Sequence, residues 1–152
     1  MRPEQIMIIR LDESHFSEMS ELFHDVFSCA PWNDDWSDPD ILRAYLTDIT
    51  ENPNSLSFGY LHEGKLSAIS LGQVFNWWRG REYNVREFFV SRHLQRKGIG
   101  TLFITAIENL LRDEGITSMS LLTARKTPAF DFYITNGFHE SDGMSFLVKN
   151  IK

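Results

Sequence analysis

Apolar residues at Phe16, Met19, Leu22, Phe23, Val26 and Phe27 recur at intervals of three and four, the period of one buried helical face. Asp12 or Ser14 is placed to cap that helix, and a short β-prone run, Ile6 to Arg10, precedes it. The stretch Cys29–Asp40, CAPWNDDWSDPD, breaks the period with Pro, Asn and Asp and reads as a loop, with Ser37 and Asp40 forming an acidic variant of a capping box. A second helix is expected over roughly Pro39–Thr50, ended by Asn52-Pro53-Asn54. The period then shortens to that of strands. Leu56–Leu61 turns at His62-Glu63-Gly64 into Leu66–Phe75, and Trp78-Arg79-Gly80-Arg81 turns into Tyr83–Val90.

Ile99, Leu102, Phe103, Ala106, Ile107, Leu110 and Leu111 restore the helical stripe, which closes near Gly115 as the residue beyond the C-cap. Ser118–Thr123 then reads as a strand, Pro128–Thr135 as a helix with Pro in its first turn, and Ser145–Lys149 as a final strand. Strands before and after single helices make the class mixed α/β. No repeat, low-complexity tract or linker divides the 152 residues, so residues 1–152 are read as one domain.

Composition narrows the function classes. With 21 acidic against 15 basic residues the formal charge is −6, which opposes non-specific attraction to nucleic acid or anionic membrane surfaces. No run approaches the ~18 apolar residues of a spanning helix, and MRPEQIMIIR is not a signal peptide, so a cytoplasmic location is expected. The single Cys29 cannot form an intramolecular disulfide, and His15, His24, His62, His93 and His139 lack zinc-site spacing, so no metal is expected.

The segment Ser91–Gly100 lies between a strand and the long helix. Two glycines flank the helix start and the basic pair Arg96-Lys97 precedes them, which aims unpaired backbone N–H groups and the positive end of the helix at one spot suited to phosphate. It is neither a Walker loop nor a dinucleotide fingerprint, since Phe103 stands where a third glycine would. On local physics a glycine-assisted turn with a solvated basic pair accounts for it equally well.

Gln95-Arg96-Lys97-Gly98-Ile99-Gly100 resembles the Q/R-x-x-G-x-G/A motif of the GNAT superfamily of N-acetyltransferases, and Ala129–Phe138, AFDFYITNGF, resembles that family's A-x-x-x-Y-x-x-x-G-F segment. The two occur in the family's order, and the strong match runs from Tyr83 to Phe138. One position departs: Lys126 stands where the family often has Asn.

The resemblance implies a mixed, mostly antiparallel sheet of six to seven strands flanked by about four helices, and transfer of acetyl from acetyl-coenzyme A directly to an amine. It assigns the cofactor to Phe89, Val90, Gln95, Arg96, Lys97, Gly98, Ile99, Gly100, Thr101 and Phe130, and proton transfer to Glu87 as base and Tyr133 as acid. Alternation along Tyr83–Val90 would put Glu87 on the face of Tyr83, Val85 and Phe89, with Arg86 pointing away. Glu87 could otherwise pair with a cross-strand Arg, and Tyr133 could pack with Phe130 and Phe138. Trp32, Asp35 and Trp36, with Asp34 and Asp38, and Trp77 on the hairpin, supply aromatic and acidic groups that suit a cationic amine, although each taken singly equally suits the core or a helix cap. The substrate expected is a small, aminoglycoside-like amine. A protein N-terminal or lysine acetyltransferase and a non-catalytic acyl-coenzyme A module are the alternatives, and the family's habit adds an expected homodimer.

Overall fold

The computed structural model describes residues 7–152, so Ile6 of the first expected strand lies outside the described residues. It contains two compact units, Met1–Leu122 and Thr123–Lys152. In the first, the strands are β1 (Met7–Arg10), β2 (Ser55–His62), β3 (Lys65–Trp77), β4 (Gly80–Val90) and β5 (Ile116–Leu121), and the helices are α1 (Phe16–Phe27), α2 (Pro39–Thr50) and α3 (Ile99–Asp113). The second unit holds α4 (Pro128–Thr135).

The strands form one sheet in the order β1-β2-β3-β4-β5, antiparallel except for the parallel β4–β5 pair. Among the described residues the sheet therefore has five strands rather than six to seven. Residues 139–152 carry no helix or strand, so the expected strand Ser145–Lys149 is absent, and Phe146 and Leu147 are 73% and 87% exposed. β-propensity becomes a strand only where a ladder partner and a buried face complete it.

Caps refine the helix starts. Asp12 opens a single 3-10 turn, Glu13–His15, by accepting from Ser14 N, and α1 follows from it. At α2 the cap is Asp38, whose Oδ1 accepts from Asp40 N at 2.9 Å with Pro39 in the first turn; the expected Ser37 box does not form, because Ser37 instead donates N–H and O–H to Asp35 Oδ1. α3 ends as expected with Gly115 left-handed (φ 76°), and this reversal starts β5 at Ile116, two residues earlier than the strand read from the sequence. The hairpin before β4 shrinks to Trp78-Arg79, which lets β4 begin at Gly80.

Each face of the sheet has its own core. Met19, Phe23, Val26 and Phe27 of α1 and Leu42, Leu46 and Ile49 of α2 pack with Ile69, Leu71 and Phe89. Ile99, Phe103, Ile107 and Leu111 of α3 pack on the other face with Phe58, Tyr60, Tyr83 and Val85.

The register of β4 corrects the expected alternation. Leu71 pairs with Glu87 but Gly72 pairs with Val85, so Arg86 is the extra residue of a β-bulge. One inserted residue turns every later side chain over. Tyr83 and Val85 face α3, whereas Phe89 lies in the α1–α2 core and Glu87 contacts α2. Gly72 makes the bulge possible, since a Cβ there would meet Asn84 O at 2.5 Å and the Tyr83 ring at 2.6 Å.

Candidate active site

β4 has partners on both sides only as far as the bulge. Its pairing with β5 runs from Arg81–Ile116 to Val85–Leu121, while its pairing with β3 continues to Val90. From Glu87 to Val90 one edge therefore carries backbone groups with no strand partner among the described residues. An extended, amide-bearing chain could add to such an edge as a strand would.

Glu87 is partly buried at the start of this segment, and its Oε1 accepts a 2.7 Å hydrogen bond from Tyr45 Oη of α2. Burial pushes the Glu87 carboxyl above the ordinary carboxylate range; the Tyr45 hydrogen bond and the Arg86 guanidinium oppose that shift, and the Asp34 carboxylate adds to it. Tyr45 is itself pushed up to about 12, first by burial and then by Glu87, so it stays a phenol and a donor. Arg86 does not point away: its guanidinium carbon lies 5.9 Å from the centroid of the Tyr45 ring. The partner of Glu87 is thus a helical tyrosine and not a cross-strand arginine.

Aromatic rings surround this pair. Trp36 stacks on Tyr45 at 5.3 Å, Phe23 meets Trp36 at 5.2 Å edge-on and Phe89 at 5.6 Å, and Phe27 links Phe89 to Trp32. The sequence placed Trp32 and Trp36 near a site, and the structure joins them to Glu87 through this chain of rings. Asp35 is exposed and occupied with Ser37. Trp77 is not brought to the group: it lies six residues along β3 from Leu71, the partner of Glu87, or ~20 Å at strand rise. The sequence reading did not single out Tyr45, although a signal was there. It sits on the apolar stripe Leu42, Tyr45, Leu46, Ile49, where a phenol needs a hydrogen-bond partner.

The turn after β4 can hold an anion. Arg92 donates to both oxygens of Asp25 on α1, at 2.9 and 3.2 Å, and Gln95 Nε2 donates to Val90 O at 2.9 Å, so the turn is tied at its base. Above these ties Arg96 (φ 63°) and Gly98 (φ 80°) are both left-handed, which gathers backbone N–H groups into a concavity at the start of α3. A Cβ at Gly98 would meet nothing within 4 Å, so that space stays open to a ligand while the positive φ itself demands glycine. Arg96, Lys97 and Thr101 are exposed there, whereas the Ile99 side chain is core, only 1% exposed, and can offer only backbone. Phe89 likewise packs its ring between Phe23 and Phe27, leaving its backbone for an extended partner.

In the second unit Thr127 caps α4 by accepting from Phe130 N, and Arg125 is tied to Glu140. The helix ends in a Schellman motif: Phe138 N donates to Tyr133 O, Gly137 N donates to Ile134 O, and Gly137 is left-handed. Its hydrophobic contact is the Tyr133–Phe138 ring pair at 5.4 Å, and Phe132 also meets Tyr133 edge-on at 5.3 Å. The spacing Y-x-x-x-G-F is thus the spacing of a helix stop that orients the tyrosine ring.

The sequence profile of the Acetyltransferase (GNAT) family matches residues 16–138. The chain belongs to the GNAT acetyltransferase family. No curated protein matches it significantly. Among solved structures, a possible acetyltransferase from Clostridium difficile 630 superposes with a TM-score of 0.80 at 17% identity, covering 97% of this chain and 99% of that one. The aminoglycoside acetyltransferase meta-AAC0020 from an uncultured soil metagenomic sample, solved with sisomicin, gives 0.74 at 20% identity and 98% coverage of both chains. Another aminoglycoside acetyltransferase of such origin, HMB0005, gives 0.69 at 16% identity, covering 96% of this chain and 99% of that one. At these identities the likeness is one of fold. GNAT acetyltransferases use acetyl-coenzyme A as donor, and the tied, left-handed turn and the one-sided edge of β4 fit its pyrophosphate and its amide-bearing arm. No helix among the described residues is long and apolar enough to cross a membrane, and no group of three or more His, Cys, Asp or Glu there could hold a metal.

Proposed function

We propose that this GNAT acetyltransferase is an N-acetyltransferase that acts on a primary amine of a small cationic molecule, aminoglycoside-like in its chemistry. One observation carries the reading: a partly buried carboxylate, Glu87, stands where β4 loses its β5 partner and feels the carboxylate of Asp34, while an exposed Trp32 reaches the Phe89 ring of the same strand through Phe27. Aromatic faces and carboxylates together suit an ammonium group. Two neighbours of the same fold are named aminoglycoside acetyltransferases, which agrees with that chemistry.

Acetyl-coenzyme A, when bound, supplies an activated acetyl carbonyl. The chain's residues do the rest. Arg96, Lys97 and the backbone N–H groups from Arg96 to Thr101 hold the pyrophosphate, and backbone groups of Phe89 and Val90 align the arm. Glu87 accepts, directly or through water, the proton an ammonium must shed before it can attack, and its upward shift makes it a better base than an ordinary carboxylate. A backbone N–H near Val90 would serve the oxyanion, and the family resemblance gives the Tyr133 phenol the role of protonating the departing sulfur and Phe130 a cofactor contact. Residues 1–152 act as one acetyltransferase domain, a reading supported by a family match that runs across the division at residue 122.

Thiol release from acetyl-coenzyme A, measured over a panel of polyamines, sisomicin and peptides with free N-termini or lysines, tests this reading. Turnover on small polycations alone is expected. Turnover on peptides alone would favour a protein acetyltransferase, and calorimetric binding without release on any amine would mark a non-catalytic module. Gly98→Val should abolish acetyl-coenzyme A binding with the fold intact by circular dichroism, because a β-branched residue resists the left-handed φ. Tyr133→Phe should lower kcat by about 10²-fold without changing cofactor affinity.

A further inference from the structure

We infer that Tyr45 is a positioning residue for Glu87: its phenol fixes Oε1 of the carboxylate and leaves Oε2 as the oxygen that exchanges a proton. The assignment of proton transfer to Glu87 rests on the function proposed above, whereas the pairing itself rests on geometry.

The geometry is specific. Glu87 and Tyr45 are 42 residues apart and meet at 2.7 Å, a short hydrogen bond of the charge-assisted kind. Among the described residues no protein donor reaches Oε2. The phenol cannot swing away freely, because Trp36 stacks on its ring at 5.3 Å with planes 28° apart and Phe23 lies 5.9 Å from it. Arg86, the bulge residue, sits over the ring 5.9 Å from its centroid. The bulge that turns Glu87 toward α2 therefore also brings the Arg86 guanidinium to its partner. Every charged or titratable group that faces Glu87 enters this balance: Tyr45 from α2 and Arg86 from β4 favour the carboxylate, while Asp34 from the loop before α2 disfavours it.

Two opposing effects meet at one group. Burial favours the protonated carboxyl, which could accept nothing, whereas the Tyr45 donor draws Glu87 back toward ionisation, the net shift staying upward. Removing the phenol should leave burial unopposed, so the sign is upward. A hydrogen bond to an ionised group corresponds to a displacement of about one to two pH units.

The test needs no acceptor amine. In protein labelled with carboxyl-¹³C glutamate, the Glu87 resonance is identified by its loss in Glu87→Gln, and its titration midpoint is compared in wild type and Tyr45→Phe. An upward move of about one unit or more in Tyr45→Phe is expected. An unchanged midpoint in a folded Tyr45→Phe protein would overturn the inference. A reciprocal measurement covers the case in which Tyr45→Phe does not fold: tyrosinate absorbance in Glu87→Gln should show one phenol titrating below the value of about 12 it has in wild type, and no change there would overturn the inference equally. Where turnover is in hand, the acid limb of kcat should move up in Tyr45→Phe with the KM for acetyl-coenzyme A unchanged, a split that loose packing alone would not produce. A displaced midpoint in an enzyme whose rate is indifferent to Glu87→Gln would sink the base assignment and leave the Tyr45–Glu87 pair standing.

Discussion

The two halves of β4 are continuous in the chain and opposite in character. From Gly80 to Val85 the strand is paired on both sides, and its Tyr83, fully buried, donates to Leu56 O and shares a hydrogen bond with Ser70, each at 3.0 Å. From Glu87 to Val90 it is paired on one side and carries a carboxylate whose burial raises its pKa. The first half is held by ladders on both sides, while the second has left β5 behind and Val90 O accepts instead from the Gln95 side chain. A single inserted residue, Arg86, separates them, and the contrast shows how one extra residue lets a continuous strand turn a carboxylate away from the face its alternation would give it.

The severest way to break this comparison is Gly72→Val, opposite the bulge. The added Cβ would meet Asn84 O at 2.5 Å and the Tyr83 ring at 2.6 Å, so thermal unfolding should show a loss above about 4 kcal/mol, or no folded protein at all. A variant with near-native stability would mean that the close approach at Gly72 does not hold the bulge.

Glu87→Gln separates the halves by their function. Turnover should fall about 10³-fold at neutral pH and less at high pH, where the amine arrives neutral. Stability should move the other way. Because the folded pKa of Glu87 lies above its ordinary value, its contribution is fully present below that ordinary value and is lost as pH rises through the folded pKa. At neutral pH Glu87→Gln should therefore melt above wild type, and the two melting curves should converge in acid. A variant less stable than wild type at neutral pH would show the carboxylate to be structural.

Tyr83→Phe is the mirror experiment. It leaves Leu56 O and Ser70 without the phenol in a dry core, and should cost about 1–3 kcal/mol in denaturant unfolding with kcat unchanged. The smallest effect is expected at the far end of the reactive half. Gln95→Ala frees Val90 O from its side-chain tie, and should lower stability by under about 1 kcal/mol while raising the KM for acetyl-coenzyme A several-fold.

The legible parts of the molecule were those written in local pattern. The stripes of α1 and α3, proline in the first turns of α2 and α4, and left-handed Gly98, Gly115 and Gly137 each depend on residues within a turn or two of one another. The glycine turn before α3 was likewise read as a local feature, whereas the helix stop at Gly137 was quoted only as part of a family-like segment, although hydrogen bonds across three to five residues fix it as well. Strand character also appeared locally, in the β-branched and aromatic runs of β2, β3 and β4.

What the pattern could not settle was the face and the partner of each strand residue. Nothing in Val85-Arg86-Glu87 announces an inserted residue; the bulge exists because Gly72, on another strand, permits Asn84 and Tyr83 to come close. For the same reason the apolar run at Ser145–Lys149 was read as a strand, although only pairing could have made it one. The sequence by itself determined the four helices, the first five strands and the glycine turn, and it named Glu87 as a candidate carboxylate. Tertiary structure alone decided which way that carboxylate faces and that a tyrosine 42 residues away holds it, since both depend on register between strands and on packing between a helix and a sheet.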